Sequence, residues 1–303
     1  MMDITFLGTA ASIPTAERSL PAVIITHLNE PFLFDCGEGS QRQMRIADIN
    51  FMRINRIFIT HLHADHFMGL GGLIQSMDFL ERDRDLHIYG PRGIKETVNH
   101  LLSAGSFALD AFTIQIHEVD EGLVWDGEKI TVTAAKTRHN KNSLAYRIEE
   151  KPHKTFLKQK ALQMGIPEGP LFSKLQDGHT IEVAGKKIKP EDVLSEPVKG
   201  RSIVYTGDTA PAESVVELAK DADILIHEAT LSANDIDHAL ADAHSTTTQA
   251  AEVAKKAGVK KLYLTHISQR YPDQVPLEEE ARKIFQESYV AYDLLKVHVD
   301  KHW

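Results

Sequence analysis

The sequence predicts a layered α/β domain, with β-sheets packed together and helices on the outside. Three observations lead there. Short β-branched or apolar runs recur along the chain, helix-patterned segments lie between them, and one proline-rich stretch breaks the rhythm. The runs at 4–7, 22–26, 32–34, 56–60, 86–89, 112–119, 129–134 and 143–148 read as strands, and strands resume at 202–206, 224–227 and 261–265. The early ones follow closely enough to predict antiparallel neighbours and hairpins. Helical spacing of apolar residues marks 69–79, 211–219, 246–257 (closed by Gly258) and 277–288. Between Glu149 and Gly200 stand five prolines (Pro152, Pro167, Pro170, Pro190, Pro197) and a weak helical run at 155–164. A core strand pair does not hold so many prolines. This stretch is therefore expected to be an insertion projecting from a single 1–303 domain, with an arm at about 151–194.

Composition narrows the class. At 303 residues, 42% hydrophobic and 25% charged, the chain suits a soluble globular protein. Cys36 is the one cysteine, so no intrachain disulfide and no cysteine-rich zinc site can form. Asp3 stands where a secretory leader carries lysines, and no window approaches the roughly 18–20 apolar residues of a membrane span. A cytoplasmic protein without a membrane partner is expected. The net charge of -9 argues against non-specific nucleic-acid binding by the whole surface, yet residues 151–200 carry nine lysines against six acids. That basic region is compatible with a local polyanion contact, and equally with a solvated lysine-rich insertion.

The chemistry concentrates where the 56–60 strand runs into His61-Leu62-His63-Ala64-Asp65-His66. In extended chain, residues two apart point the same way, so His61 and His63 can converge on one ion. The chain then turns toward the helix at Gly69, which lets Asp65 and His66 face a second position. Four ligands in six residues cannot all reach one tetrahedral ion without strain; two adjacent ions are the natural solution. A lone His-x-His among sixteen histidines would mean little, but three histidines and an aspartate closing an apolar strand form a motif with context. His139, Asp208 and His266 each follow a later strand. Singly each reads as a turn or cap residue. Together they supply one histidine per ion and a carboxylate able to bridge.

These segments, with Phe34-Asp35-Cys36-Gly37-Glu38-Gly39 and Thr206-Gly207-Asp208-Thr209, resemble the metallo-β-lactamase superfamily. The resemblance implies a four-layer αββα sandwich with the metals at one rim. It implies that His61, His63 and His139 hold one zinc, that Asp65, His66 and His266 hold the other, and that Asp208 bridges. Asp35 would orient the ligand loop by hydrogen bonding; capping the turn before Gly37 is the competing reading.

His227-Glu228-Ala229-Thr230, His244-Ser245-Thr246 and the inserted Gly169-Pro170 pair narrow the resemblance to the ribonuclease Z family, over essentially the whole chain. It implies a zinc-dependent endoribonuclease that removes 3′ trailers from precursor tRNA after the discriminator nucleotide. The products would be a tRNA 3′-hydroxyl and a trailer 5′-phosphate. Two ions roughly 3.5–4 Å apart would generate the nucleophile and clamp phosphate oxygens. His244, oriented by Glu228, would protonate the ribose 3′-oxygen, and Asp65 would assist the attacking water. As bare residues, Glu228 and His244 also read as turn and helix-cap neighbours. The resemblance further implies a homodimer and a tRNA-binding role for the arm, with Lys154, Lys158 and Lys160 on its weak helix as phosphate contacts.

The family's Pro-x-Lys-x-Arg-Asn loop reads Pro14-Thr15-Ala16-Glu17-Arg18-Ser19 here, so the resemblance does not carry rejection of CCA-bearing tRNA over to this chain. Manganese or iron also suits the ligands. The rivals are a small-molecule phosphodiesterase of the same fold, a di-iron redox protein and a catalytically silent RNA-binding relative.

Overall fold

The computed structural model describes residues 1–106 and 108–301, which divide into two compact units. The larger, Met1–Glu149 with Arg201–Asp300, is built on two seven-stranded mixed sheets. In the first half run β1 (Met2–Gly8), β2 (Ala22–His27), β3 (Glu30–Phe34), helices α1 (Ser40–Ile46), α2 (Ala64–Phe67) and α3 (Gly69–Phe79) around β4 (Arg56–Phe58), then β5 (Leu86–Gly90), α4 (Ile94–Ser103), β6 (Ile114–Glu118), β7 (Gly122–Asp126), β8 (Ile130–Lys136) and β9 (Leu144–Glu150).

The smaller unit, 150–200, contains α5 (Lys158–Gln163), α6 (Pro170–Gln176), β10 (Ile181–Val183) and β11 (Lys186–Ile188). The chain then continues through β12 (Ser202–Tyr205), α7 (Glu213–Leu218), β13 (Ile224–Glu228), α8 (Ile236–Asp242), α9 (Thr247–Ala257), β14 (Lys261–Thr265), α10 (Val275–Arg282), β15 (Ser288–Val290) and β16 (Lys296–His298).

One sheet has the order β16-β1-β2-β3-β4-β5-β6 and the other β15-β14-β13-β12-β9-β8-β7. Period-two alternation sorts the side chains between faces. Met2, Ile4, Phe6, Val23 and Ile25 from the first sheet meet Leu144, Tyr146, Ile148, Ile203 and Tyr205 from the second in one core. On the outer face of the first sheet, Leu7, Ile24 and Leu33 pack under Met44, Leu73, Ile74 and Val98 of α1, α3 and α4. On that of the second, Val204, Leu225 and Leu264 lie under Val215, Ala250, Ala254 and Leu277 of α7, α9 and α10. The result is helix, sheet, sheet, helix.

The expected hairpins occur at β1–β3, which pair antiparallel; from β3 to β6 the strands run parallel instead. The reason is that helices form the crossovers there. β4 ends at Phe58, two residues earlier than its apolar run, because Ile59 and Thr60 already belong to the ligand loop. The helix expected to reach 288 stops at Arg282, since Ser288–Val290 pairs in parallel with β14.

In the smaller unit, Ala161, Ile166, Leu175, Ile181, Ile188 and Val193 make a separate core. Its hairpin turns on Ala184-Gly185, both at positive φ (51° and 77°), as a two-residue turn between twisted strands requires. Lys154 lies outside α5, which begins only at Lys158; Lys158 and Lys160 are on it. Among the described residues no helix is long and apolar enough to cross a membrane.

Candidate metal centre

β4 delivers its loop under tight backbone control. Asp35, fully buried and left-handed at φ 55°, receives the Thr60 N–H at 2.7 Å, the Thr60 hydroxyl at 2.8 Å, the Tyr205 hydroxyl at 2.9 Å and His66 Nδ1 at 2.7 Å. Its carboxylate thus reaches across to the ligand loop. Tyr146 donates to the Ile59 carbonyl at 2.8 Å and holds the same loop from the opposite sheet. α2 starts directly after His63, so Asp65 and His66 occupy its single turn, and the His66 ring lies 4.1 Å from that of His61.

Asp208 follows β12. Gly207 makes that approach possible: it sits at φ 57°, and a Cβ there would come within 2.6 Å of the Thr60 side chain. The two carboxylate oxygens of Asp208 face different histidines. Oδ2 lies 3.6 Å from His61 Nε2 and 3.8 Å from His139 Nε2; Oδ1 lies 3.3 Å from His66 Nε2 and 3.4 Å from His266 Nε2. His139 Nε2 is 3.1 Å from His63 Nδ1, and Asp65 Oδ2 is 3.4 Å from His266 Nε2 and 3.6 Å from His66 Nε2. Two donors on one tetrahedral ion, with bonds of about 2.0–2.1 Å, stand roughly 3.3 Å apart. The observed separations scatter around that edge length. His61, His63, His139 and Asp208 form one possible ligand group, and Asp65, His66 and His266 another.

The remaining ring nitrogens determine which atoms face inward. The Thr60 hydroxyl spends its proton on Asp35, so it accepts from His61 Nδ1 at 3.1 Å. The Thr230 hydroxyl likewise donates to Glu228 Oε2 at 2.8 Å and accepts from His266 Nδ1 at 2.8 Å. His139 Nδ1 donates to the Ala243 carbonyl at 3.1 Å. Each Nε2 is left with a lone pair directed into the cluster. His61 Nε2, His66 Nε2 and Asp208 Oδ1 are buried without a hydrogen-bond partner. Orphaned acceptors of this kind are costly unless a cation satisfies them, and a divalent metal fits them.

Electrostatics agree. Burial pushes the imidazoles of His61 and His139 down, toward the neutral form that binds metal. Burial would raise Asp65, but His266 and His66 hold it well below the usual carboxylate range. Burial likewise opposes ionisation of Asp208, and His266, His66 and His61 prevail. His66 runs the other way: burial would lower its imidazole, but Asp208 and Asp35 hold it up, toward the protonated form, so a cation there would have to displace that proton.

Beside the cluster stands an acid–base pair. His244 Nδ1 contacts Glu228 Oε1 at 2.8 Å, and Glu228, wholly buried, also accepts the N–H groups of Thr209 and Thr230 at 2.9 and 3.1 Å. Burial alone would lower the His244 imidazole; the hydrogen bond and charge of Glu228 hold it up at about 9. The His244 ring lies 4.8 Å from that of His139 and 5.5 Å from that of His266. The histidines and aspartates nominated as ligands, His61, His63, Asp65, His66, His139, Asp208 and His266, thus lie together, with Glu228 and His244 beside them. Thr60, Tyr146, Tyr205 and Thr230, which orient the ligands, carry no spacing signal.

The ribonuclease Z of Methanothermobacter thermautotrophicus is 47% identical over 299 residues, 99% of this chain and 97% of that protein. The chain belongs to the ribonuclease Z family. The ribonuclease Z of Methanosarcina acetivorans is 45% identical over 99% of this chain and 98% of its own, and that of Bacillus subtilis 41% over 99% and 100%. The crystal structure of human tRNase Z, short form, superimposes with a TM-score of 0.73 at 28% identity, covering 99% of this chain and 100% of that one.

Two family models match in turn, anti-Pycsar protein Apyc1 over residues 2–157 and the beta-lactamase superfamily domain over 173–267. The architecture is the metallo-β-lactamase fold. A chain of this family is a metal-dependent endoribonuclease, and its histidine–aspartate cluster has the donor set to suit a divalent metal.

Proposed function

We propose that this member of the ribonuclease Z family cuts precursor tRNA after the discriminator nucleotide by phosphodiester hydrolysis, leaving a tRNA 3′-hydroxyl and a trailer 5′-phosphate. The observation that carries the reading is the split of Asp208 between two sets of imidazoles, with the Glu228–His244 pair alongside. His61, His63 and His139 would hold one zinc, Asp65, His66 and His266 a second, and Asp208 both. When bound, such ions supply a strong oxygen nucleophile at neutral pH and a positive clamp on phosphoryl oxygens.

The chain's own residues do the rest. Asp65 Oδ2, fixed by the Ser12 N–H at 3.1 Å, orients the attacking water as its proton leaves. The ribose 3′-oxygen is a poor leaving group unless protonated as the bond breaks. His244 Nδ1 is occupied by Glu228, so Nε2 is the atom that delivers this proton, and Glu228 stabilises the imidazolium beforehand.

The basic unit 150–200 is read as the tRNA-binding exosite, engaging backbone phosphates by charge and shape. Lys160 is a phosphate contact in this reading, and Lys158 another once freed from its ion pair with Glu168 at 2.9 Å. A homodimer accompanies it. Phe79, 86% exposed, lines a groove of about 1050 Å³ together with Arg42, Arg45, Phe51, Gln75 and Asp78. An exposed apolar ring flanked by charges of both signs is a patch that a second copy could cover about a two-fold axis. Cys36, a buried free thiol, suits the reducing cytoplasmic compartment in which tRNA matures.

The deciding experiment incubates purified protein with a 3′-extended precursor tRNA, with and without a chelator, and maps both product ends. A cut after the discriminator that disappears on metal removal is the expected result. Cleavage that survives complete chelation overturns the mechanism. Deleting residues 151–194 tests the substrate: cleavage of tRNA should be lost while small phosphodiesters are still hydrolysed, whereas a small-molecule phosphodiesterase would keep both.

A further inference from the structure

The segment that carries His244 leaves β13 and returns at α9, and little packs it down. Along α8 only Ala239 is buried, and Ile236 and Leu240 stand 42% and 57% exposed. Yet the segment fixes two site groups. Ala243, left-handed at φ 55°, offers its carbonyl to His139, and the His244 N–H caps α8 on the Ala239 carbonyl at 2.9 Å. The position of His244 therefore depends on how the two ends of the excursion are tied.

They are tied to one atom. Glu280 Oε2, on α10, accepts the Ala233 N–H at 3.0 Å and the Thr247 hydroxyl at 2.5 Å, at the start and finish of the excursion. Beside it the Leu231 N–H reaches the Ser245 carbonyl at 3.4 Å and the Thr247 N–H the Leu231 carbonyl at 3.0 Å across the neck, and the Tyr271 hydroxyl accepts from the Ser232 N–H at 3.0 Å while donating to Asp235. The geometry points to Glu280 as a positioning residue: it clasps the neck of the 233–247 segment and so sets where His244 Nε2 meets the leaving oxygen, without touching substrate. The inference rests on the proton-donor role of His244 proposed above.

The tests are Glu280→Ala, Glu280→Gln, Thr247→Val and Thr247→Ser in the full-length, metal-loaded enzyme. A carboxamide keeps an oxygen that can accept both bonds, so Glu280→Gln should retain most activity, and Thr247→Ser should match the parent. Glu280→Ala should lower kcat on the order of 10–100-fold, as a misplaced catalytic group does, with KM for precursor tRNA moving less than about twofold. Thr247→Val should fall between.

Amide hydrogen exchange supplies a readout independent of turnover: in Glu280→Ala, residues 233–246 should exchange faster while β12–β14 stay protected. Unchanged exchange in that segment, or Glu280→Gln as impaired as Glu280→Ala, overturns the clasp. Faster exchange together with a silent His244→Ala would instead leave the clasp standing and remove the proton-donor role.

Discussion

At the centre of the site, Asp208 gives one oxygen to each of two histidine sets, and Asp35 gathers four donors beneath them. Replacing Asp35 by Asn turns one acceptor into a donor facing the Tyr205 hydroxyl and His66 Nδ1. Metal affinity should fall about 10–100-fold, the usual cost of losing a partner that orients a ligand, measured by chelator competition. Unchanged affinity would reduce Asp35 to a turn residue. His244→Ala should keep its metal content and KM while kcat drops on the order of 10²–10⁴-fold, the range for a lost general acid. Metal loss in that variant would make His244 structural.

The candidate ligands His61, His63, Asp65 and His66 are legible in the sequence because four side chains at fixed offsets carry their own geometry. The hydroxyls of Thr60 and Thr230 were not. Nothing local distinguishes a threonine that relays two hydrogen bonds from one that caps a turn.

Among the elements, parallel pairing does the positioning. β12, β13 and β14 run the same way, so the residues at or just beyond their carboxyl ends, Asp208, Glu228 and His266, reach the same rim. The crevice beyond the carboxyl ends of parallel strands is where α/β sheets place ligands. α9 then fixes the return of the His244 segment with a reciprocal cap: Thr246 Oγ1 accepts the Gln249 N–H at 3.3 Å, and Gln249 Oε1 accepts the Thr246 N–H at 3.0 Å. Thr246→Ala should destabilise the protein by about 1 kcal/mol, read as a downward shift of the thermal midpoint with the metal content held constant. No shift would mean that the surrounding packing carries the helix start alone. This helix was visible in the sequence from its apolar spacing and closing Gly258. α1, α2, α6 and α8 are too short, at four to seven residues, to show apolar spacing in the sequence, α4 buries only Ile94 and Val98, and the three residues of β15 gain strand form only from β14.

For the molecule as a whole, stability and metal loading are one problem, since the buried imidazoles bind a cation only when unprotonated. Metal content in a chelator-buffered solution should fall as pH is lowered from about 8 to about 5, with the thermal midpoint falling alongside. A metal content that does not change with pH would separate the cluster from metal binding. The exposed Phe79 makes a separate prediction about assembly. Phe79→Glu places a charge on the proposed dimer patch, so sedimentation should show dimers for the parent chain and monomers for the variant. A dimer of undiminished stability would move the interface elsewhere.

Periodicity and turn chemistry, which act over a few residues, are enough to read most strands and the layered class, and to nominate the first histidine–aspartate cluster. Contacts such as Asp208 to His66 at 3.3 Å, His139 to the Ala243 carbonyl, or Glu280 to both ends of one loop join residues tens to more than a hundred positions apart. Such distances exist only after the sheets have paired in register and closed over their shared core. Local pattern can nominate those side chains, but chain folding alone brings them within reach of one another.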